Sequence, residues 1–392
     1  MVSAFRRGMS LGKVAKKFGV AKATVWFWVR RAEGKRLDRV DFRDRTSGPQ
    51  RPANRTAKTV EACVLEVRQE LREISDLGEF GAEAILDHMT KLGCAQLPSR
   101  ATVNRILRRH GAVLPRQRQR RTPPPRGWYL PDVAKNKAEL DSMDYVEDLC
   151  LEGGCRFHVL NVISINGSLI ESWPMPRMTS ENTIRNALDH WRRHGLPRYA
   201  QFDNGMVFYG SRWPDSLGKL TRICLQLGIT PVFAPPREMG FQSAIENYNG
   251  RWQRAVHRRF HFADLDEVIG QSTRYVTAVN RKHALRQAAA PPRRDFPANR
   301  RFDPRKPPRG KVIFLCRTDE DRCVSVMGHR WELPDADAGQ LVRATLTFAG
   351  RAIHFHGLRR SRPADHDYLG SVDYTFPVAE KPKKPTPKKQ LS

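Results

Sequence analysis

The 392-residue sequence predicts a multidomain chain: two N-terminal all-α helix-turn-helix modules, a central α/β core on a mixed five-stranded sheet, and a small C-terminal β-barrel. Three observations predict it. Apolar residues recur at helical spacing up to about residue 111, give way to β-rich runs from about 139, and become short strands between turns from about 311. Residues 112–131 (AVLPRQRQRRTPPPRGWYLP) break the pattern with prolines that remove donors and fix the backbone, so they read as an extended basic linker. The length exceeds one ordinary domain, and 40% hydrophobic residues suffice for several cores.

Charge is unevenly spread. Of the formal net +28, residues 1–126 carry +16, residues 127–290 only +3, and residues 291–392 +9. Basic flanks around a near-neutral middle favour a polyanion, with counterion release from phosphates as the driving force, so double-stranded DNA is the expected partner rather than a membrane. No apolar run approaches the length of a spanning helix and MVSAFRRGMS lacks a signal-peptide core, which predicts a cytoplasmic protein. Seven cysteines without a C-x-x-C pair read as reduced, structural thiols.

Within residues 1–45, Leu11, Val14, Ala15 and Phe18 repeat at helical spacing, Gly19 interrupts, and Val25, Trp28 and Val29 resume. Two short helices about a glycine turn read as a helix-turn-helix, with Lys22, Thr24, Arg30 and Arg31 left for phosphates and bases; a plain helical hairpin has the same pattern. A second module over 55–111 ends in SRATVNRILRRHG. Ser99 is placed to cap this helix, Val103, Ile106 and Leu107 line its inner face, and Arg100, Asn104, Arg105, Arg108 and Arg109 stay outside as DNA contacts. In the linker, Arg118, Arg120 and Arg121 are expected to track a phosphate backbone.

The core is expected over 132–290. LDSMDYVEDL, RFHVLNVISI and SLIESWPM read as antiparallel strands joined by hairpin turns, followed by a helix over SENTIRNALDHWRRHG, the strand RYAQF, a helix around LGKLTRICLQLG, the strand ITPVF and a helix from Ser243. In such sheets ligands gather at strand ends. Asp144 falls in the first strand, Asp203 just past the fourth, and Glu246 on the last helix. Each has a bland alternative: an edge position for Asp144, an Asx-turn for Asp203, and a capping box with Ser243 for Glu246. Together they point to hard oxygen ligands for Mg²⁺ or Mn²⁺, because crowded buried carboxylates are unfavourable without a cation. The pairs His190 with His194 and His257 with His261 lack a nearby Cys pair or an H-E-x-x-H pattern and read as surface residues.

Three stretches, SMDYVEDLCLEGGCRFHVLNVIS, GLPRYAQFDNGMVF and GITPVFAPPREMGFQSAIENYNGRWQ, resemble the blocks of the DDE integrase core shared by bacterial insertion-sequence transposases and retroviral integrases. The diagnostic parts are Asp203-Asn204-Gly205 after a strand and the E-x-x-N-G from Glu246 to Gly250. The resemblance implies an RNase H-like fold, a catalytic and metal-binding triad of Asp144, Asp203 and Glu246, two divalent ions, and a homodimer or higher homo-oligomer on DNA. It also implies a bacterial, nucleoid-associated setting. The interval from Asp203 to Glu246 is longer than usual, Ser243 replaces a common glycine, and Glu238 lies nearer the customary spacing, so Glu238 is the alternative third ligand. Asp141 competes with Asp144 but points to the opposite face by the two-residue period. Beyond Glu246, the helix places Asn249, Gly250 and Gln253 on the carboxylate's face and Arg251, Arg254, Arg258 and Arg259 on neighbouring ones; Asn249, Gln253 and Arg254 are expected to meet DNA beside the cut, and a solvated basic surface is the alternative for the outer arginines.

Short strands through KVIFLCR, CVSVMG, RWELP, LVRATLTF and RAIHFH predict the barrel over 308–376, and the tail over 377–392 reads as basic and disordered. The reading is a transposase that binds terminal inverted repeats, then cuts and joins DNA. The alternative is a non-catalytic, sequence-specific DNA-binding regulator derived from a transposase.

Overall fold

The computed structural model describes residues 1–43, 56–94, 96–113, 126–209, 213–235, 238, 240–298, 301–303, 305–360 and 366–377. Arg118, Arg120 and Arg121, and the basic tail from 378, lie outside the described residues. The chain divides into two compact units, Met1–Lys58 and Thr59–Ser392.

The first unit holds helices α1 (Val2–Arg6), α2 (Leu11–Phe18) and α3 (Lys22–Arg31). Gly19 ends α2 in the left-handed region at φ 64°, and Val14, Ala15 and Val25 are buried where the helices meet.

The second unit opens with three helices, α4 (Lys58–Ile74), α5 (Ala82–Lys91) and α6 (Arg100–Arg109), around a core of Val64, Val67, Ile85, Met89, Val103 and Ile106. Ser99 caps α6 as its chemistry demands, its Oγ accepting the Thr102 N–H at 3.2 Å. This bundle abuts the α/β part. Gly78, at φ +60°, lies so close to it that an added Cβ would stand 2.8 Å from the Cβ of Ala255, which only glycine tolerates.

The α/β part runs α7 (Pro131–Ala134), β1 (Leu140–Cys150), β2 (Arg156–Ser164), β3 (Ile170–Met175), α8 (Ser180–His194), β4 (Tyr199–Phe202), α9 (Met206–Tyr209), α10 (Lys219–Gln226), β5 (Thr230–Phe233), α11 (Ser243–Trp252), α12 (Leu265–Lys282) and α13 (Ala284–Ala288). It continues with β6 (Lys311–Arg317), β7 (Cys323–Val326), β8 (His329–Glu332), β9 (Leu341–Thr347), β10 (Ala352–Leu358) and β11 (Asp367–Asp373). The first three strands are antiparallel, and β4 and β5 follow in parallel beside β1. α8 and α10 pack on one face through Ile184, Trp191, Leu220 and Ile223, while α11 and α12 cover the other through Tyr248, Trp252, Tyr275 and Val279.

Two expectations are corrected here. The sheet has nine strands rather than five, in the order β11-β10-β9-β6-β5-β4-β1-β2-β3, and the strands assigned to a separate C-terminal barrel extend it. The junction is β6 paired in parallel with β5, Val232 beside Ile313 and Phe233 beside Phe314. Val312, Ile313, Phe314 and Leu315 are all buried, so β6 is covered on both faces. Docking it also covers the edge that β5 would otherwise leave open. β7 and β8 form a separate hairpin. The second correction concerns the linker, whose C-terminal end is core: Trp128, Tyr129 and Leu130 are buried, and the Tyr129 hydroxyl donates to Gln201 Oε1 at 2.7 Å or to the Phe241 carbonyl at 2.9 Å. Among the described residues, no helix is long and apolar enough to cross a membrane.

Candidate active site

β1 and β4 run in parallel with Ser142 beside Gln201, and two residues on from that pair stand Asp144 and Asp203. The register thus brings the two carboxylates to neighbouring strands at one level. Asp144 and Asn161 are direct partners across β1 and β2, on the face covered by α11.

From α11, the Asn249 amide donates to Asp144 Oδ2 at 2.8 Å, and its carbonyl oxygen accepts from Asn161 Nδ2 at 2.8 Å. Ser172 on β3 continues the chain, donating to Asn161 Oδ1, and its hydroxyl lies 2.6 Å from that of Tyr248. The amide of Asn249 is thereby held with its N–H toward the carboxylate. Sequence reasoning placed Asn249 among DNA contacts. Instead it is buried and spends its polar atoms orienting Asp144. Asn161, Ser172 and Tyr248 were not anticipated; the polar asparagine inside the apolar run VLNVIS, level with Asp144, is the signal that marks the relay in the sequence.

Asp203 makes the Asx-turn that its neighbours suggest, with Oδ1 accepting the Gly205 N–H at 2.9 Å. Only one oxygen is used. A Cβ at residue 205 would stand 2.8 Å from that same Oδ1, so glycine is required there. Asn204 ties the end of β4 to the end of β5, its Nδ2 donating to the Ala234 carbonyl at 2.7 Å. Glu246 is exposed in the first turn of α11, whose N-cap is Gln242 without a side-chain cap bond, so Glu246 belongs to no capping box.

Burial, with the charges of Asp203 and Glu246, pushes the Asp144 carboxyl up to about 7. Burial also raises Asp203, with the Gly205 N–H pulling the other way. Among the described residues no ion pair joins any of the three. They do not stand at ligand spacing either: among the described residues, the group of His, Cys, Asp and Glu donors within 4.8 Å of one another is Glu171, His190 and His194. Three uncompensated oxygen donors whose charges oppose one another suit a hard divalent cation such as Mg²⁺ or Mn²⁺.

The competing carboxylates have other work. Asp141 is fully buried on the opposite face, where Arg293 forks onto it, Ser164 Oγ donates at 2.7 Å, and His190 and Trp191 approach at 3.2 and 3.3 Å. Arg293 and His190 hold it well below the usual carboxylate range despite burial. Glu238 pairs with Arg317 and lies 3.7 Å from Arg360.

The basic side chains divide by occupation. Lys22, Thr24 and Arg30 are exposed on α3, whereas Arg31 is half-buried and donates to the Arg43 carbonyl at 2.9 Å. On α6, Arg105 and Arg108 are exposed and Asn104 half-buried, but Arg100 pairs with Glu83 at 2.7 Å and Arg109 with Glu61 at 2.6 Å. After α11 the chain enters a π-helical turn, Gln253–His257; Gln253 accepts from Arg258 at 2.9 Å, and exposed Arg254 lines a cleft with Arg251, Lys282 and His283. Arg259 is withdrawn from that surface: its guanidinium donates to the Arg72 carbonyl, left open at the end of α4, at 2.7 Å and to that of Ser75, which also accepts the Gly78 N–H. His190 is fully buried and His194 half-buried, against the expectation that both lie on the surface.

No family model matches the chain, and no curated protein matches it. Solved structures with some likeness include the catalytic cores of retroviral integrases. The catalytic core of BIV integrase is 19% identical with a TM-score of 0.28, over 36% of this chain and 84% of that one. The HTLV-2 integrase core in complex with magnesium, in a dimeric form, is 15% identical with a TM-score of 0.27, over 34% and 81%. A chain of the simian T-cell lymphotropic virus intasome in complex with the PP2A regulatory subunit B56 gamma is 14% identical with a TM-score of 0.33, over 77% and 96%. Likeness this slight carries no functional weight.

Proposed function

We propose that this protein is a DDE-type polynucleotidyl transferase, a transposase that binds the terminal inverted repeats of a mobile DNA element and performs metal-dependent DNA cleavage and strand transfer. Asp144, Asp203 and Glu246 would hold two Mg²⁺ or Mn²⁺ ions. The observation that carries this reading is Asp144 itself, a half-buried carboxyl without an ion-pair partner among the described residues, held by the Asn249 amide at 2.8 Å and pushed up to about 7 by desolvation and by the charges of Asp203 and Glu246. A purely structural carboxylate is neutralised by a partner, as Asp141 is by Arg293.

When bound, divalent ions of this kind lower the pKa of a water and stabilise charge on the attacking and leaving oxygens of a phosphodiester. The chain's own groups position the donors. Asn249 holds Oδ2 of Asp144, Gly205 holds Oδ1 of Asp203, and exposed Glu246 keeps the side-chain freedom to close onto the pair. Arg251 and Arg254 supply positive charge beside α11 for the phosphate backbone, while Lys282 is taken up by Glu79 at 2.6 Å, and Lys22, Thr24, Arg30, Asn104, Arg105 and Arg108 would read or grip the element end. Joining two ends requires at least a homodimer on DNA.

The test is a strand-transfer reaction with purified protein, labelled element ends, a target plasmid and Mg²⁺ or Mn²⁺. Joined products that vanish with EDTA and in Asp203→Asn are the expected result. Nicking without joining would reduce the reading to a nuclease, and binding without either product would make it a DNA-binding regulator. Separate Glu246→Gln and Glu238→Gln variants assign the third carboxylate, with loss of joining expected only for Glu246→Gln.

A further inference from the structure

We propose that Glu171, His190 and His194 form a second metal site, of a different chemical class from the carboxylate cluster, that takes Zn²⁺ between β3 and α8.

One donor atom from each of the three lies within 4.8 Å of the others. His190 and His194 are four residues apart on α8, so their rings share a face, with centroids 5.1 Å apart. Glu171 pairs with Val162 across β2 and β3, on the side of the sheet that α8 covers. This is the face opposite Asp144.

His190 supplies the independent observation. Its ring is fully buried, its Nε2 sits 3.2 Å from Asp141 Oδ2, and its Nδ1 has no hydrogen-bond partner. A buried polar atom without a partner is costly and calls for an explanation. With the Nε2 proton directed at Asp141, Nδ1 carries a free lone pair, the tautomer that ligates a metal. Carboxylate behind, imidazole between and metal in front is the usual arrangement by which an outer carboxylate orients a ligating histidine.

Without a cation, Glu171 Oε1 is held by His194 Nε2 at 2.8 Å and by Arg193 Nη1 at 2.9 Å. Arg193 has somewhere else to go: its Nη2 already donates to Asp189 at 2.6 Å, and its guanidinium lies over the Trp173 ring. Two imidazoles and one carboxylate match Zn²⁺ or Co²⁺, whereas Mg²⁺ prefers oxygen and water. Three protein ligands leave one position for water. Such an ion would tie α8 to β3 and, through Asp141, to the strand that carries Asp144.

The test uses the full chain, freed of metal by chelation and titrated with Zn²⁺ by calorimetry and with Co²⁺ by visible absorption. Expected are one tight Zn²⁺ per chain, Co²⁺ bands of a four- or five-coordinate ion, and a thermal midpoint raised by Zn²⁺. Asp203→Asn should keep all three, separating this site from the proposed active site, while His194→Ala and Glu171→Gln should each weaken Zn²⁺ binding by roughly 10–100-fold or more. The proposal is overturned if the unaltered chain gives no such Co²⁺ bands and no Zn²⁺-dependent midpoint, or if both variants bind Zn²⁺ as it does. The Co²⁺ spectrum of the unaltered chain decides even where a variant fails to fold.

Discussion

Replacing Asn249 separates the orientation of Asp144 from its presence. Asn249→Ala removes a 2.8 Å hydrogen bond to a carboxylate that has no ion-pair partner among the described residues. Hydrogen bonds to charged groups contribute about 1.5–3 kcal/mol, which corresponds to roughly 10–150-fold in rate if the whole amount appears in the transition state. Asn249→Asp keeps the shape but turns the donor into an anion. Two unit charges about 4 Å apart at an effective dielectric near 20 repel by about 4 kcal/mol, so this variant should fall by about 10³-fold. The order is therefore unaltered protein above Asn249→Ala above Asn249→Asp. Single-turnover cleavage and joining of labelled element ends measures it, with circular dichroism confirming that each variant is folded. Asn249→Ala within about threefold of the unaltered rate, or Asn249→Asp faster than Asn249→Ala, would refute the positioning role.

Three other outcomes follow from particular contacts. Gly205→Ala puts a methyl where the Asp203 carboxylate stands, 2.8 Å from Oδ1, so joining activity should be lost while the melting temperature changes little; an active variant would show that the carboxylate can move aside. Arg293→Met leaves the buried Asp141 charge unpaired and should cost about 3–5 kcal/mol in urea unfolding, with Asp141→Asn in the same chain recovering much of it. An unchanged urea midpoint for the single variant would disprove that account. Arg259→Ala frees the carbonyl of Arg72 and leaves that of Ser75 with the Gly78 N–H alone, so amide exchange in the last turn of α4 should quicken while α6 keeps its protection; equal rates in the two proteins would mean that this contact holds nothing.

Local signals translated well. Ser99 caps α6, Gly19 closes α2, and the strands around Asp144 and Asp203 begin and end near where turn residues place them, because caps and turns depend on neighbours in the chain. The opposite orientation of Asp141 was legible from the strand period alone. Its partner was not: Arg293 is 152 positions away, and nothing in the segment around it announces a buried ion pair. His190 misled because an amphipathic helix does not reveal which of its polar residues turns inward. β6 misled differently. Its continuous VIFL run is the mark of a strand covered on both faces, yet which strand it joins depends on an exposed edge some 80 residues earlier.

By itself, then, the linear order of residues determined that carboxylates end up within one strand, just past another and in the first turn of a helix, that the flanks are strongly basic, and that helical modules precede an α/β core. Tertiary contacts decided which of those groups remain available. They withdrew Arg259 to a helix terminus and Asn249 to a carboxylate, and buried His190 beside Asp141 with one nitrogen unused. The reason is physical: periodicity and capping arise from interactions within a few residues, whereas the pairing of a buried charge or amide is set by surfaces that meet only once the chain has folded.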